Sequence, residues 1–222
     1  RTTITKVKAK AAKAAVKTED DDEDDEDEDD TAARSNDDGD DDEDGTISAW
    51  REDALAAIDT HSTGPIVLVG SSMGGWMALL AALARPDRVA GLVLIAPAPD
   101  FTEKLMWPEF SAEAQSEIME QGFTQRPSDY DEPYTITRAL IEDGQTWQIL
   151  DAPIELDIPV RILQGMQDAD VPWKHAERLV DTITSEDLVF TLIKDGDHRL
   201  SREQDIARLK TTCAEIATAT RP

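Results

Sequence analysis

Residues 66–80 read IVLVGSSMGGWMALL, and the reading of the whole chain turns on them. The run IVLVG (66–70) is short, wholly apolar and rich in β-branched side chains, as suits a strand buried on both faces of a parallel sheet. The run MGGWMALLAALA (73–84) is apolar nearly all round, the composition of a helix buried behind such a sheet. Between them stands Gly70-Ser71-Ser72-Met73-Gly74, a G-x-S-x-G sequence at a strand-to-helix turn. Such a turn strains the backbone of its central serine and exposes the hydroxyl, and glycines two before and two after leave room for the tight crossing. Ser72 is therefore the candidate nucleophile. Ser71 is expected to turn away. The competing reading is a Gly/Ser turn without a catalytic role.

Working outward, VAGLVLIAP (89–97), VRILQG (160–165) and LVFTLIK (188–194) read as three further strands. Ile47, Trp50, Ala54, Leu55 and Ile58 recur at helical spacing, which predicts an amphipathic helix over 46–60, stopped by Gly64-Pro65. Helical patterns follow at about 173–184 and 201–218. Strands alternating with helices predict an α/β domain with a parallel sheet. An insert over about 99–150 is too long for a plain crossover. It holds seven of the eleven aromatics, Phe101, Trp107, Phe110, Phe123, Tyr130, Tyr134 and Trp147. It is expected to form a helical cap over a cleft, or else a satellite core whose aromatics pack on one another.

A serine hydroxyl needs a base to take its proton. Only three histidines exist. His61 precedes Ser72, the wrong chain order for this turn. His175 opens a predicted helix close after the candidate acids and is expected at the surface. His198 lies in the polar loop after the strand 188–194, at the end of a parallel strand where such a base belongs. The orienting acid is expected after the strand 160–165, where Asp168 is favoured and Asp170 is the rival.

Charge is distributed unevenly along the chain. Positions 19–30 are all Asp or Glu, and acids dominate again over 37–44, after a Lys/Ala block at 6–17. So many adjacent carboxylates beside so little apolar surface predict a disordered segment over 1–44. It is a solvated tail, or one that binds a basic partner. The net charge of −26 disfavours nucleic acid and anionic membranes as partners. No apolar stretch approaches a membrane span. The single cysteine, Cys213, excludes an intrachain disulfide and agrees with a reducing, cytoplasmic setting. The start at Arg1 suggests that the true N-terminus is missing.

The stretches VLVGSSMGGWMALL (67–80), GLVLIAPAPDFTE (91–103), LMWPE (105–109), PYTITRALIEDG (133–144), VRILQGMQDADVPW (160–173) and KDGDHRLSR (194–202) together resemble the α/β-hydrolase family. Within it they are similar to a subgroup of small carboxylesterases that holds bacterial hydrolases and a mitochondrial acyl-glucuronide esterase and palmitoyl-protein thioesterase. The resemblance spans about 44–220. It implies an α/β-hydrolase fold over 45–222 with the insert as cap, and Ser72, Asp168 and His198 as catalytic triad. It also implies the Met73 backbone N–H as one oxyanion donor, a small-molecule ester or thioester substrate, no metal or organic cofactor, and a mitochondrial location as the alternative. Family members begin with further strands and a loop that supplies the second oxyanion N–H. The composition of 1–44 predicts no such strand, which would leave strand 66–70 a bare apolar edge and the chain poorly active. The alternative function is a catalytically inactive remnant that binds through its acidic tail. A third reading keeps the triad but changes the reaction to acyl transfer or C–C hydrolysis.

Overall fold

The computed structural model describes residues 3–6, 45–126 and 133–220, the first group by its backbone alone. Five parallel strands form one sheet in the order β1-β2-β3-β6-β7: β1 (Thr3–Lys6), β2 (Ile66–Ser71), β3 (Val89–Ile95), β6 (Val160–Gly165) and β7 (Leu188–Ile193). From β2 onward each new strand adds at the same edge. The loops that leave the C-terminal ends of β2, β3, β6 and β7 therefore gather along one rim, where ligands of open parallel sheets bind.

Helices α1 (Ile47–His61), α2 (Met73–Ala84), α5 (Trp173–Thr182) and α6 (Glu203–Ala219) accompany the sheet. Thr46 caps α1, its Oγ1 accepting the Ala49 N–H at 3.2 Å. Helix α2 follows its all-apolar sequence: Trp76, Met77, Ala78, Leu79 and Ala81 are fully buried. Burial of a large apolar side chain contributes roughly 1.5–3 kcal/mol, so α2 is held by packing rather than by its own caps. The main apolar cluster joins Leu68, Leu92, Leu94, Ile162, Leu79 and Leu179, uniting β2, β3 and β6 with α2 and α5.

Two differences from the sequence-based expectation concern elements. First, Thr3–Lys6 pairs in parallel with Ile66–Val69. The expectation that 1–44 supplies no strand, and that β2 is a bare edge, is corrected for these four residues. The signal is weak because TITK is short and runs straight into the Lys/Ala block. The rest of 1–44, with its expected disorder, lies outside the described residues.

Second, the insert is not purely helical. It runs through a π-helical turn (Thr102–Met106), a 3-10 turn (Trp107–Glu109), α3 (Ala112–Gln121), β4 (Phe123–Arg126), β5 (Tyr134–Thr137) and α4 (Arg138–Thr146). Strands β4 and β5 form an antiparallel ribbon of their own. The insert's aromatics divide between its own interior and α2. Trp107 and Phe110 join Ile118, Ile136 and Ile141, whereas Phe101 and Trp147 join Trp76 and Met77 of α2. Phe123 and Tyr134 are exposed, and Tyr130 lies outside the described residues. Asp143 seats the insert on α1: its carboxylate accepts the Ser48 N–H at 2.7 Å and the Ser48 Oγ–H at 2.5 Å, while Trp147 Nε1–H donates to Ser48 Oγ at 2.8 Å.

Candidate active site

Ser72 sits between β2 and α2 with φ 53° and ψ −123°, a conformation that a residue with a side chain rarely adopts. Three backbone bonds over-determine it. The Ser72 N–H donates to Ile95 O at 2.9 Å, and Ser72 O accepts from the Gly75 and Ala98 N–H groups at 2.9 and 3.1 Å. Gly70 is required beneath it, because a Cβ there would run into the Gly74 carbonyl. Ser71, the neighbouring position, is exposed. Ala96, Asp100 and Leu200 complete the non-glycine residues with positive φ among the described residues. Ala96 and Asp100 follow β3 and Leu200 follows His198. Backbone strain is therefore concentrated along the rim that carries the site.

Asp168 and His198 are brought to Ser72 by the loops after β6 and β7. His198 Nδ1 lies 2.8 Å from Asp168 Oδ2, and His198 Nε2 lies 3.1 Å from Ser72 Oγ. An ionised carboxylate only accepts, so Nδ1 carries the proton toward Asp168 and Nε2 is left to accept from the serine hydroxyl. The Asp168 side chain is fully enclosed, and that of His198 is 22% exposed. Asp168 Oδ1 takes the Asp170 and Val171 N–H groups at 3.0 and 2.8 Å. Asp170 is exposed, and its side chain stays out of the His198 bond that Asp168 makes.

Burial by itself would raise the Asp168 pKa. The hydrogen bond from His198, the Val171 N–H, the His198 charge and the Gln164 amide outweigh it and hold the carboxyl below its ordinary range. At His198 burial favours the neutral ring, yet the bond to Asp168 and the charges of Asp168, Asp170 and Asp197 prevail and raise its pKa.

The loop that carries His198 is fastened at both ends. Arg202 donates to Asp195 Oδ2 at 2.7 Å and to the enclosed Asp205 Oδ2 at 2.6 Å. The Gln167 N–H donates to Gly196 O at 2.9 Å, tying this loop to the one that holds Asp168. Gly165 permits that approach, since a Cβ there would meet the Gly196 and Asp197 carbonyls.

His175, expected at the surface, is buried instead. It shares one face of α5 with Ala176 and Leu179, and its Nε2 lies 2.7 Å from Pro99 O. Burial pushes its pKa down, so the neutral ring donates Nε2–H to that carbonyl. His61 is exposed at the end of α1. Sequence reasoning missed Gln164, near the end of the run VRILQG, and Asp100, directly after the apolar run LIAPAP. Asp168, Asp170 and His198 place three donor atoms within 4.8 Å of one another. Every one of the Asp168 and His198 atoms facing inward already has a hydrogen-bond partner, so the cluster fits a proton relay better than a cation site. The Met73 N–H opens α2, where first-turn donors have no partner within the helix.

Residues 29–210 match the alpha/beta hydrolase family. A protein of Agrobacterium vitis S4 with a solved structure is 45% identical and superposes with a TM-score of 0.76, over 79% of this chain and 70% of that one. The mouse alpha/beta hydrolase domain-containing protein 10 is 35% identical with a TM-score of 0.72, over 80% and 72%. The mitochondrial palmitoyl-protein thioesterase ABHD10 of Homo sapiens is 36% identical over 173 residues, which is 77% of this chain and 56% of that protein. The chain thus spans just over half the length of that thioesterase.

Proposed function

Because the chain belongs to the alpha/beta hydrolase family, we propose that it hydrolyses carboxylic ester or thioester bonds through an acyl-enzyme formed on Ser72. The observation that carries this reading is the unbroken line Ser72 Oγ, His198 Nε2, His198 Nδ1, Asp168 Oδ2, with steps of 3.1 and 2.8 Å across its two hydrogen bonds. Ser72 Oγ attacks the carbonyl carbon while His198 Nε2 takes its proton, and Asp168 holds the ring in the tautomer with its proton on Nδ1. Negative charge that develops on the carbonyl oxygen meets the Met73 N–H at the N-terminus of α2. His198 then returns the proton to the leaving alkoxide or thiolate. In the second half a water, deprotonated by His198, attacks the acyl carbon and releases Ser72. The second oxyanion donor implied by the family is not assigned to any described residue. Similarity to a palmitoyl-protein thioesterase favours an apolar acyl group as substrate, and that relative's name favours a mitochondrial location.

The test uses a fluorophosphonate probe and a simple ester on the full chain. The expected result is covalent labelling that Ser72→Ala abolishes and Ser71→Ala retains, with ester turnover following the label. Labelling or turnover that survives Ser72→Ala removes Ser72 from the mechanism. A chain that never labels, while folding cooperatively, favours the inactive binding protein instead.

A further inference from the structure

Gln164 is the one polar side chain on a face of β6 that is otherwise aliphatic. Val160 and Ile162, on the same face, belong to the main apolar cluster, and all three residues are 0% exposed. The alternation of the strand therefore predicts an aliphatic residue at 164. The amide instead gathers acceptors on one side. Its Nε2 lies 3.0 Å from Asp168 Oδ2, 3.0 Å from Val171 O and 3.1 Å from Gly165 O, while its Oε1 has no partner. Exchanging the amide's oxygen and nitrogen would set an acceptor against three acceptors, so chemistry fixes the orientation. An orphaned, buried Oε1 is a cost that an aliphatic side chain would avoid. It is offset by what the donor does at Asp168.

We propose that Gln164 is a positioning residue for the reaction: its amide holds the Asp168 carboxylate facing His198 and limits how strongly that carboxylate retains the imidazole proton. The inference rests on the triad reading above. Asp168 Oδ2 accepts from both Gln164 Nε2 and His198 Nδ1. Negative charge shared with a fixed amide is less available to the imidazolium, so loss of the amide makes Asp168 the stronger partner of a protonated His198. The carboxylates that face His198, Asp168, Asp170 and Asp197, are all retained when residue 164 alone is changed, so a movement of the His198 titration reports on the amide.

Two variants test this in the full chain, with kcat, KM and the pH profile of ester hydrolysis measured beside thermal unfolding. Gln164→Leu keeps the bulk and removes the donor. The expected result is a kcat lower by about 10- to 100-fold, as for misplacement of a catalytic group by a fraction of an ångström, with KM little changed. The acid limb should move up by about half a pH unit or more. Gln164→Glu keeps a donor only while the new carboxyl is protonated. It is expected to be active only above the acid limb set by His198 and to lose activity as that carboxyl ionises, adding a basic limb to the profile of the unsubstituted chain. A Gln164→Leu protein with unchanged kcat and acid limb overturns the proposal, as does one whose activity falls only in step with its folded fraction. Should Gln164→Leu not fold, the Gln164→Glu profile decides: an added basic limb supports the proposal, and an unaltered profile overturns it. Ser72→Ala in the same series separates the two readings. Turnover that survives it overturns the triad and this inference together, whereas a dead Ser72→Ala beside an unshifted Gln164→Leu overturns this inference alone.

Discussion

At His198 burial and the acidic neighbours act in opposite directions, and the bond to Asp168 together with the charges of Asp168, Asp170 and Asp197 wins. In the proposed reaction the base must be neutral to accept the Ser72 proton, so kcat/KM is expected to fall on the acid side with a midpoint above the ordinary histidine value of 6.5. A pH–rate profile on a neutral ester checks this, and a midpoint below 6.5 would mean that burial dominates. Stability follows the opposite sense. A histidine whose folded pKa is raised contributes stability that is complete below its unfolded pKa and is lost as pH rises through the folded one. Asp168, whose pKa is depressed, contributes stability above its ordinary 3.8 that is lost as pH falls through the folded value. Ser72, Asp168 and His198 are all legible in the sequence, because each follows an apolar β-run in the order such sites require. Gln164 is not, because a lone amide in a strand has no local pattern that reveals which atoms it faces.

Between elements, one buried side chain clasps the two ends of the insert. Asp100 begins the insert at φ 55° and is fully enclosed. Its two oxygens accept the Ile149 and Leu150 N–H groups, at the insert's other end, at 2.8 and 2.9 Å. Burial raises the pKa of this carboxyl despite those two donors, so the clasp carries a desolvation cost that its geometry offsets. Asp100→Ala strands two backbone donors and is expected to destabilise the fold by about 2–4 kcal/mol in urea unfolding. Asp100→Gly loses the same acceptors but tolerates the positive φ, so it should be the milder of the two. Equal stability of Asp100→Ala and the unsubstituted chain would show that other contacts close the insert. The sequence signals the insert through its length and aromatics. It does not show that Trp107 and Phe110 pack inside the insert while Phe101 and Trp147 pack on α2, since periodicity within a segment says nothing of which neighbour it meets.

Over the whole molecule the net charge is −26, and Asp168, Asp170 and Asp197 all bear on His198. A field of that sign repels anionic substrates and is screened over about 10 Å at 0.1 M salt. The kcat/KM of an ester with a carboxylate in its acyl part is therefore expected to rise several-fold between about 10 and 200 mM salt, while a neutral ester of similar size stays nearly flat. Equal salt dependence for the two would remove electrostatics from substrate choice. Among the described residues no helix is long and apolar enough to cross a membrane. By itself the sequence determined the α/β alternation, the tight strand-to-helix turn at Ser72 and the chain order Ser72, Asp168, His198. These are encoded within short windows by hydrophobic period and turn chemistry. Tertiary structure alone decided that Thr3–Lys6 pairs with β2, that His175 is buried against Pro99, that Asp100 clasps both ends of the insert, and that Gln164 reaches Asp168. Except for the Gln164 bond, which depends on how the loop after β6 folds back, each joins residues more than 45 positions apart. A hydrogen bond leaves no trace in the local sequence until the sheet has brought its two ends together.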